Sequence, residues 1–245
     1  MDKGERLSRT FGAADVATGE RRDLIRRTFR EVAPRYDLMN DLMSMGVHRL
    51  WKAALIARAA VAPGQVAVDL AGGTGDIAIA LARGGARVAV LDPSVEMMAV
   101  GRGRAGAENV RWVAAEGERL PLPDNSVDVL TIAFGIRNVT RVEDALAEIA
   151  RVLKPGGRFL CLEFSTPAAW LRPFYGLWSR TAIPILGALV SGRRAAYRYL
   201  VESIRRFPNQ QEFAGMIARA GLADVAWRDR SFEIAAIHEA RKPPV

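Results

Sequence analysis

The apolar residues of the chain follow two different periodicities. Between Gly19 and Ala33 the apolar side chains Leu24, Ile25, Phe29 and Val32 recur at helical spacing. From Val66 to Phe164, short apolar runs alternate with amphipathic stretches; the runs are QVAVDL, RVAVLD, VRWVAAEG, SVDVLTIAFG and RFLCLEFS. This alternation predicts an α/β fold with a mostly parallel sheet that is covered by helices on both faces.

Breaks in the pattern suggest how the chain is organised. Pro63 and Gly64 interrupt it, so we predict an N-terminal helical lid over residues 1–62 and a core domain over residues 63–245. Residues 167–207, approximately, are rich in Trp, Tyr, Phe and Arg and are predicted to form an inserted helical cap. The tail returns to a helix (QQEFAGMIARAGL) and then to two strand-like segments, DVAWRD and FEIAAIHEA.

Composition limits the class of protein. Of the 245 residues, 50% are apolar, which is enough for a large core, and the formal net charge of +8 suggests an anionic partner. The many N-terminal arginines are interpreted as a solvated face. A single cysteine, Cys161, excludes an internal disulfide, and two distant histidines offer no metal-ligand spacing, so we expect no metal. We expect no signal peptide, because the N-terminal stretch MDKGERLSRT is charged and has no apolar segment. We expect no membrane span, because the longest apolar run, Ala182 to Val190, is far shorter than the roughly 20 residues that a span needs.

The stretch VAVDLAGGTGD places a glycine-rich turn between a strand and a helix. Such a turn lets the backbone approach a ligand, so Gly73 is predicted to contact the cofactor. The loose G-x-G-x-x-A spacing that begins at Gly73 would also suit a dinucleotide. Asp69 distinguishes the two ligands, because a carboxylate under the loop repels pyrophosphate but suits the ammonium and sulfonium of S-adenosylmethionine. The alternative is that Asp69 only caps the turn. Asp92, at the end of the second strand, suits a ribose diol, and Glu116 with Gly117 follows the third strand, where an adenine edge would lie.

Longer motifs make a resemblance specific. Val66 to Phe164 resembles class I methyltransferases, whose Rossmann-like core has a seven-stranded, mostly parallel sheet. The pattern Tyr36-Asp37-x-Met39-Asn40-x-x-Met43-Ser44-x-x-x-His48-x-x-Trp51 resembles the ubiquinone/menaquinone biosynthesis C-methyltransferase family, as do AGGTGD, FGIRNV, RVLKPGG with LEFS, and YRYLVESIRRFP. The resemblance implies methyl transfer from S-adenosylmethionine to a ring carbon of a polyprenylated benzoquinol or naphthoquinol. Another small aromatic or lipid acceptor is the alternative.

The resemblance also implies which residues bind the cofactor. Thr74 in the loop would reach it, Asp92 would take the ribose, and Glu116 with Gly117 would occupy the adenine side, where the family often has Asn-Ala. Two further departures stand out. Ala133 lies where a serine often precedes FG-x-RN, and SFEIAAIH replaces a segment that commonly contains a glycine turn.

The acceptor side of the site is expected after the fourth strand. A phenol has a pKa of about 10, so the site must help to ionise the quinol or stabilise its anion. We predict that Arg137 stabilises the quinolate and that Asn138 orients a hydroxyl, with Tyr36 or His48 relaying the proton. The alternatives are that Arg137 pairs with a carboxylate and that His48 is structural. Asp37, Asn40, Asp41, Ser44 and His48 fall on one polar stripe of a helix, and this stripe is interpreted as a lid over the quinol pocket.

The expected partners follow from the lipid substrate. A polyprenyl quinol resides in the bilayer, so we expect a cytoplasmic protein that is peripheral on the inner face of the cytoplasmic membrane. The cap would anchor it through aromatic residues and through seven arginines: Arg172, Arg180, Arg193, Arg194, Arg198, Arg205 and Arg206. The alternative to a membrane anchor is a cap that packs on its own domain or forms a dimer contact. Assembly into a homodimer or a quinone-biosynthesis complex also stays open. Nucleic acid is not expected, because FGIRN stands where base methylases carry other motifs and no recognition domain is visible. A nicotinamide-dependent oxidoreductase is disfavoured by Asp69, and a non-enzymatic lipid carrier would not need the cofactor loop.

Overall fold

The sheet has the predicted architecture. The structure, a computed structural model, describes residues 10–11, 14–33, 36–179, 181 and 194–244. Within these residues a sheet of seven strands has the order β5-β4-β3-β6-β7-β9-β8. The strands are β3 (Val66–Leu70), β4 (Arg87–Asp92), β5 (Val110–Ala114), β6 (Val127–Ala133), β7 (Leu153–Phe164), β8 (Ala223–Arg230) and β9 (Ala235–Arg241). Strands β3 to β7 run parallel, and β9 pairs antiparallel with both β7 and β8.

The order of the strands fixes where a ligand can bind. The chain moves outward from β3 to β5 and then returns to place β6 on the other side of β3. At such a reversal the connections leave in opposite directions and open a crevice at the carboxyl ends of the two central strands. Here those ends are Leu70 and Ala133, followed by the glycine-rich loop and by FGIRN, respectively.

Helices cover both faces of the sheet. The core helices are α4 (Asp76–Arg83), α5 (Val95–Arg102), α6 (Val142–Val152) and α8 (Gln210–Arg219). One buried cluster joins α6 and α8 to the sheet, and a second joins α4 and α5 to its other face. Ser94 caps α5 as predicted, since its side chain accepts a hydrogen bond from the Met97 amide at 3.3 Å.

The N-terminal region is helical, as its periodicity predicts. Helices α1 (Thr18–Val32), α2 (Tyr36–Ser44) and α3 (Val47–Ala59) follow a short hairpin of β1 (Thr10–Phe11) and β2 (Ala14–Asp15), which the sequence did not indicate. The break between α2 and α3 lies at Gly46, whose φ of 75° suits glycine. Trp51 and Leu55 of α3 are buried in the same cluster as the sheet residues. The boundary after residue 62 stays a prediction.

Arg21 corrects the interpretation of the N-terminal arginines as a solvated face. Its side chain is buried, and the guanidinium donates to the carbonyls of Thr10 at 2.9 Å, Val139 at 2.7 Å and Arg137 at 3.0 Å. A buried guanidinium needs such acceptors because each unpaired donor is costly. Arg21 therefore ties α1 to the turn that follows β6.

The cap is described in part. Residues 172–179 are helical, and α7 (Arg194–Arg206) follows. Arg180 and Arg193 lie outside the described residues, as do the side chains of Arg194 and Arg198. Arg172, Arg205 and Arg206 are exposed. In the described part of the chain, none of the helices combines the length and the apolar character needed to cross a bilayer.

The turn between β8 and β9 is the segment where a glycine was expected and is missing. Ser231, Phe232 and Glu233 have φ angles of 47°, 57° and 68° in succession. The left-handed region is unfavourable for residues with a Cβ atom, so three in a row make a strained turn. The Trp51 indole donates to the Ser231 hydroxyl at 2.9 Å and thereby holds this turn against α3.

Candidate active site

The glycine-rich loop joins β3 to α4 and faces Asp92. Gly73 has a φ of 55°, and its amide donates to the Asp92 carboxylate at 2.9 Å. The second oxygen of that carboxylate accepts from the Ser94 amide at 2.7 Å. Burial raises the pKa of Asp92 to about 6, although both amide bonds favour its ionised form. Asp92 therefore holds the glycine-rich loop through the Gly73 amide, and it also lines the crevice.

A first cavity, of about 80 Å³, occupies the crevice. Its lining includes Gly73, Asp92, Glu116 and Gly117, four of the residues predicted to bind the cofactor. Helix α1 closes it from above, with Ile25, Arg26 and Phe29 in the wall. Arg26 forms an ion pair with Glu116, and Arg30 forms another with Glu96 at 2.8 Å. Helix α1 is therefore held over the crevice by two ion pairs.

Asp69, in β3, and Thr74, in the glycine-rich loop, do not line this cavity. The parallel register places Asp69 beside Thr131, whose hydroxyl donates to it at 2.8 Å. Burial raises the pKa of Asp69 to about 7. The Thr74 hydroxyl donates instead to Asp37 of α2 at 3.1 Å, and Arg104 donates to that hydroxyl at 3.1 Å. Contact of Asp69 or Thr74 with a cofactor stays a prediction.

A second cavity, of about 470 Å³, adjoins the first. It is lined mainly by aromatic and aliphatic side chains from α1, α2, α3, the cap and the turn after β8. Its polar lining comprises Thr28, Asn40, Ser44, His48, Arg137, Asn138, Tyr175, Tyr199 and Ser231. Large apolar pockets with a few converging polar groups are typical of small-molecule sites.

Arg137 is the buried cation of the second cavity. Its Nη1 atom donates to Glu163 at 2.6 Å and to the Phe134 carbonyl at 2.7 Å, and its guanidinium lies 5.3 Å from the centre of the Phe164 ring. The ion pair with a carboxylate, left open by the sequence, is present. Burial raises the pKa of Glu163, and Arg137 opposes that shift. The Nε atom of Arg137 is buried and has no hydrogen-bond partner among the described residues, while the residue as a whole lines the cavity.

Asn138 lies where the two cavities meet. Its side chain lines both, as do Phe29 and Phe134. The amide nitrogen donates to the Phe134 carbonyl at 3.3 Å, and the amide oxygen accepts from the Tyr199 hydroxyl at 3.0 Å. Among the described residues, Asn138 is the single polar side chain shared by the two cavities.

The polar stripe of α2 and α3 forms part of the wall of the second cavity. Asn40, Ser44 and His48 line it. His48 is buried and bonds through Nδ1 to the Ser44 hydroxyl at 2.8 Å; burial lowers its pKa, so it is neutral at pH 7. Tyr36 begins α2, but its side chain lies outside the described residues, and its proposed role stays a prediction.

Sequence reasoning missed several residues of the site. Phe29 was assigned only to a helical core stripe, yet it separates the two cavities. Tyr199 stood in YRYLVESIRRFP, a motif noted without a chemical role. Glu163, in LEFS, became relevant only through its contact with Arg137. The signal available for Glu163 was a charged residue inside an otherwise apolar strand, which requires a buried partner.

Comparison with known proteins decides the family. The ubiE/COQ5 methyltransferase family matches residues 16–242. The chain belongs to this family. Two relatives within the family, both named ubiquinone/menaquinone biosynthesis C-methyltransferase UbiE, cover almost the whole chain. The protein from Rubrivivax gelatinosus is 60% identical over 97% of this chain and 94% of its own length. That from Methylobacterium nodulans is 54% identical over 97% of this chain and 98% of its own.

Solved structures share the fold of the family at low identity. A SAM-dependent methyltransferase from Aquifex aeolicus superposes with a TM-score of 0.57 at 17% identity, covering 78% of this chain and 89% of that one. The [4+2]-cyclase SpnF superposes with a TM-score of 0.65 at 17% identity, covering 89% of this chain and 95% of that one. Haemonchus contortus phosphoethanolamine N-methyltransferase 2, in complex with S-adenosyl-L-methionine, superposes with a TM-score of 0.58 at 16% identity, covering 79% of this chain and 52% of that one. A cyclase with this fold shows that the site, and not the fold, must carry the argument about function.

Proposed function

We propose that the protein transfers a methyl group from S-adenosylmethionine to a ring carbon of a polyprenylated quinol. The acceptors are demethylmenaquinol, giving menaquinol, or 2-polyprenyl-6-methoxy-1,4-benzoquinol in ubiquinone biosynthesis, or both. The observation that carries the proposal is the junction of two unlike cavities. A small crevice at the glycine-rich loop meets a large apolar cavity at Phe29, Phe134 and Asn138.

The residues of the crevice suit the chemistry of S-adenosylmethionine. Asp92 supplies a buried carboxylate for the ribose, Gly73 presents backbone at the loop, and Glu116 with Gly117 forms the opposite wall. When bound, S-adenosylmethionine supplies an electrophilic methyl group. The crevice is smaller than the roughly 300–1,000 Å³ of ligand pockets, so we infer that α1 withdraws, breaking the Arg26–Glu116 pair, when a nucleoside binds.

The second cavity suits a quinol that must ionise. Arg137 places a permanent cation near the acceptor, and a fixed positive charge stabilises an oxyanion in an apolar surrounding. Asn138 contributes a neutral donor at the junction. A quinol oxygen held by these two groups loses its proton more readily, and the adjacent ring carbon becomes more nucleophilic. Tyr36 stays the proposed proton relay, and α2 and α3 form one wall of the cavity.

The mouth of the second cavity suits a prenyl tail. Four side chains line the cavity and are also exposed: Met45, Phe174, Trp178 and Phe232, here called the apolar rim. Phe174 is 70% exposed and Phe232 is 65% exposed, and Trp170, at 60%, packs edge-on against Phe232. Exposed aromatic residues around an apolar opening are typical of contact with a lipid surface. The proposed location is peripheral, on the inner face of the cytoplasmic membrane.

A methyl-transfer assay tests the proposed reaction. Purified protein is given labelled S-adenosylmethionine and, separately, demethylated benzoquinol and naphthoquinol under reducing conditions. We expect label on a ring carbon of at least one acceptor. The oxidised quinones are the matched control, because they have no hydroxyl to ionise and should take no label. Transfer to neither quinol contradicts the proposal, and transfer to an unrelated aromatic or lipid acceptor supports the alternative substrate class.

Membrane contact predicts a specific loss of vesicle binding. Phe174→Ser combined with Phe232→Ser removes apolar surface from the rim, so the fraction of protein that sediments with phosphatidylglycerol vesicles should fall several-fold. Trp227→Ser is the matched control, since Trp227 is 40% exposed on β8 and lies outside the cavity lining. Equal sedimentation of both variants and the unaltered protein would argue against the rim as the contact.

A further inference from the structure

The Asn138 amide, at the junction of the two cavities, has to be oriented with its nitrogen toward the substrate. This inference rests on the proposed function, in which the quinol oxygen and the methyl donor meet at this junction. Asn138 has two chemically opposite ends: its nitrogen donates two hydrogen bonds and its oxygen only accepts. An ionised quinol oxygen is an acceptor, so only the nitrogen end can stabilise it. The reaction therefore depends on which end of the amide faces the substrate.

The Phe134 carbonyl defines one end of the amide. Phe134 has a φ of 56°, a left-handed conformation that is costly for an aromatic residue. In that conformation its carbonyl accepts from Arg137 Nη1 at 2.7 Å and from Asn138 Nδ2 at 3.3 Å. A carbonyl cannot donate, so the atom of Asn138 next to it must be the nitrogen. One N–H of that nitrogen remains without a partner among the described residues.

Tyr199 defines the other end. Its side chain reaches down from α7 and is buried, and its hydroxyl donates to Asn138 Oδ1 at 3.0 Å. Burial raises the pKa of Tyr199, so the phenol keeps its proton at neutral pH and stays a donor. The 3.3 Å bond to Phe134 is long and weak by itself, so the Tyr199 hydroxyl supplies the second and shorter constraint against rotation of the amide.

We infer that Tyr199 is a positioning residue: its hydroxyl holds the Asn138 amide so that an N–H, and not the carbonyl oxygen, faces the quinol oxygen. Tyr199 acts through Asn138 and needs no bond of its own to the substrate. Arg137 and Asn138 then donate to the same oxygen while sharing the Phe134 carbonyl as a common support. The cap thus contributes to catalysis through α7 as well as enclosing the cavity.

A chromophoric phenol tests the inference without any methyl transfer. The probe is a geranylated nitrophenol, whose ionised form absorbs visible light, titrated from pH 5 to pH 10 in the presence of excess protein. Donors that favour the anion should lower the pKa of the bound probe. Tyr199→Phe keeps the ring but removes the hydroxyl, so the acid dissociation constant of the bound probe should fall about fivefold. Asn138→Ala should lower it at least as much.

A double-mutant cycle separates positioning from packing. In the Asn138→Ala background, Tyr199→Phe should have no further effect on the acid dissociation constant of the probe, because the group it positions is gone. Tyr175→Phe is the matched comparison: Tyr175 is also a buried phenol of this cavity, but no hydrogen bond joins it to Asn138 in the described structure. Its effect should add to that of Asn138→Ala.

Two results would overturn the inference. One is an unchanged probe titration in Tyr199→Phe, and the other is full additivity of Tyr199→Phe with Asn138→Ala. Methyl-transfer kinetics give an independent comparison: Tyr199→Phe should lower kcat about tenfold and leave the KM for S-adenosylmethionine unchanged. Failure of the unaltered protein to methylate any quinol would count against the proposed function alone, since the probe titration still reports on the amide.

Discussion

Replacing Asp92 by alanine is expected to weaken the binding of S-adenosylmethionine by at least about two orders of magnitude. The Asp92 carboxylate accepts from the amides of Gly73 and Ser94, so its loss leaves two buried donors without acceptors and frees the glycine-rich loop. An ionic hydrogen bond is worth about 1.5–3 kcal/mol, and two such bonds to a ribose diol would also be lost. We therefore expect the Kd, measured by calorimetry, to rise at least about 100-fold.

Two further variants make the Asp92 result specific. Asp92→Asn keeps the size of the side chain but has one oxygen, so its amide nitrogen must face the N–H of Gly73 or of Ser94. It should lose at least about tenfold in affinity. Asp124→Ala is the control, because Asp124 is 68% exposed and pairs with Arg151 far from the crevice. Binding by Asp92→Ala at the unaltered affinity would show that the crevice is not the cofactor site.

The fold could be predicted because its determinants are local. Alternating apolar runs and helical stripes report directly which faces of strands and helices are buried, and the alternation of strands with helices predicts a mostly parallel sheet. The glycine loop and Asp92 were found for the same reason: they lie at the carboxyl ends of adjacent strands. The position of these residues therefore depends on the topology and little on side-chain packing.

The rest of the site depends on contacts between distant segments. Arg21 was expected in solvent, but the Thr10 carbonyl, in a hairpin that was not predicted from the sequence, is one of its acceptors. Tyr199 reaches Asn138 across 61 positions of the chain. Asp69 lies in β3, where the register with β6 places it beside Thr131, and the hydroxyl of Thr74, in the loop, donates to Asp37 of α2. Periodicity contains no information about such pairings.

Replacing Arg137 by methionine is expected to destabilise the protein and also to abolish its activity. Arg137 and Glu163 form a buried ion pair with side chains that are 4% and 1% exposed. Removing one member of such a pair leaves an uncompensated charge, which typically costs about 3–5 kcal/mol. Glu163 then stays protonated in the folded protein at pH values where the unfolded chain ionises, so the variant should lose stability as pH rises above about 4.5.

A double variant separates the two effects of Arg137. Arg137→Met combined with Glu163→Met replaces the ion pair by apolar side chains of similar length, and this should restore most of the free energy of unfolding. Methyl transfer should stay lost, because the cation is still missing from the cavity. Arg141→Met is the control for a surface ion pair, with Asp144 as its partner, and should cost less than about 1 kcal/mol. Urea unfolding and the quinol assay measure both properties on the same preparations. A stable double variant that methylates at the unaltered rate would restrict Arg137 to a structural role and leave Asn138, held by Tyr199, as the donor to the quinol oxygen.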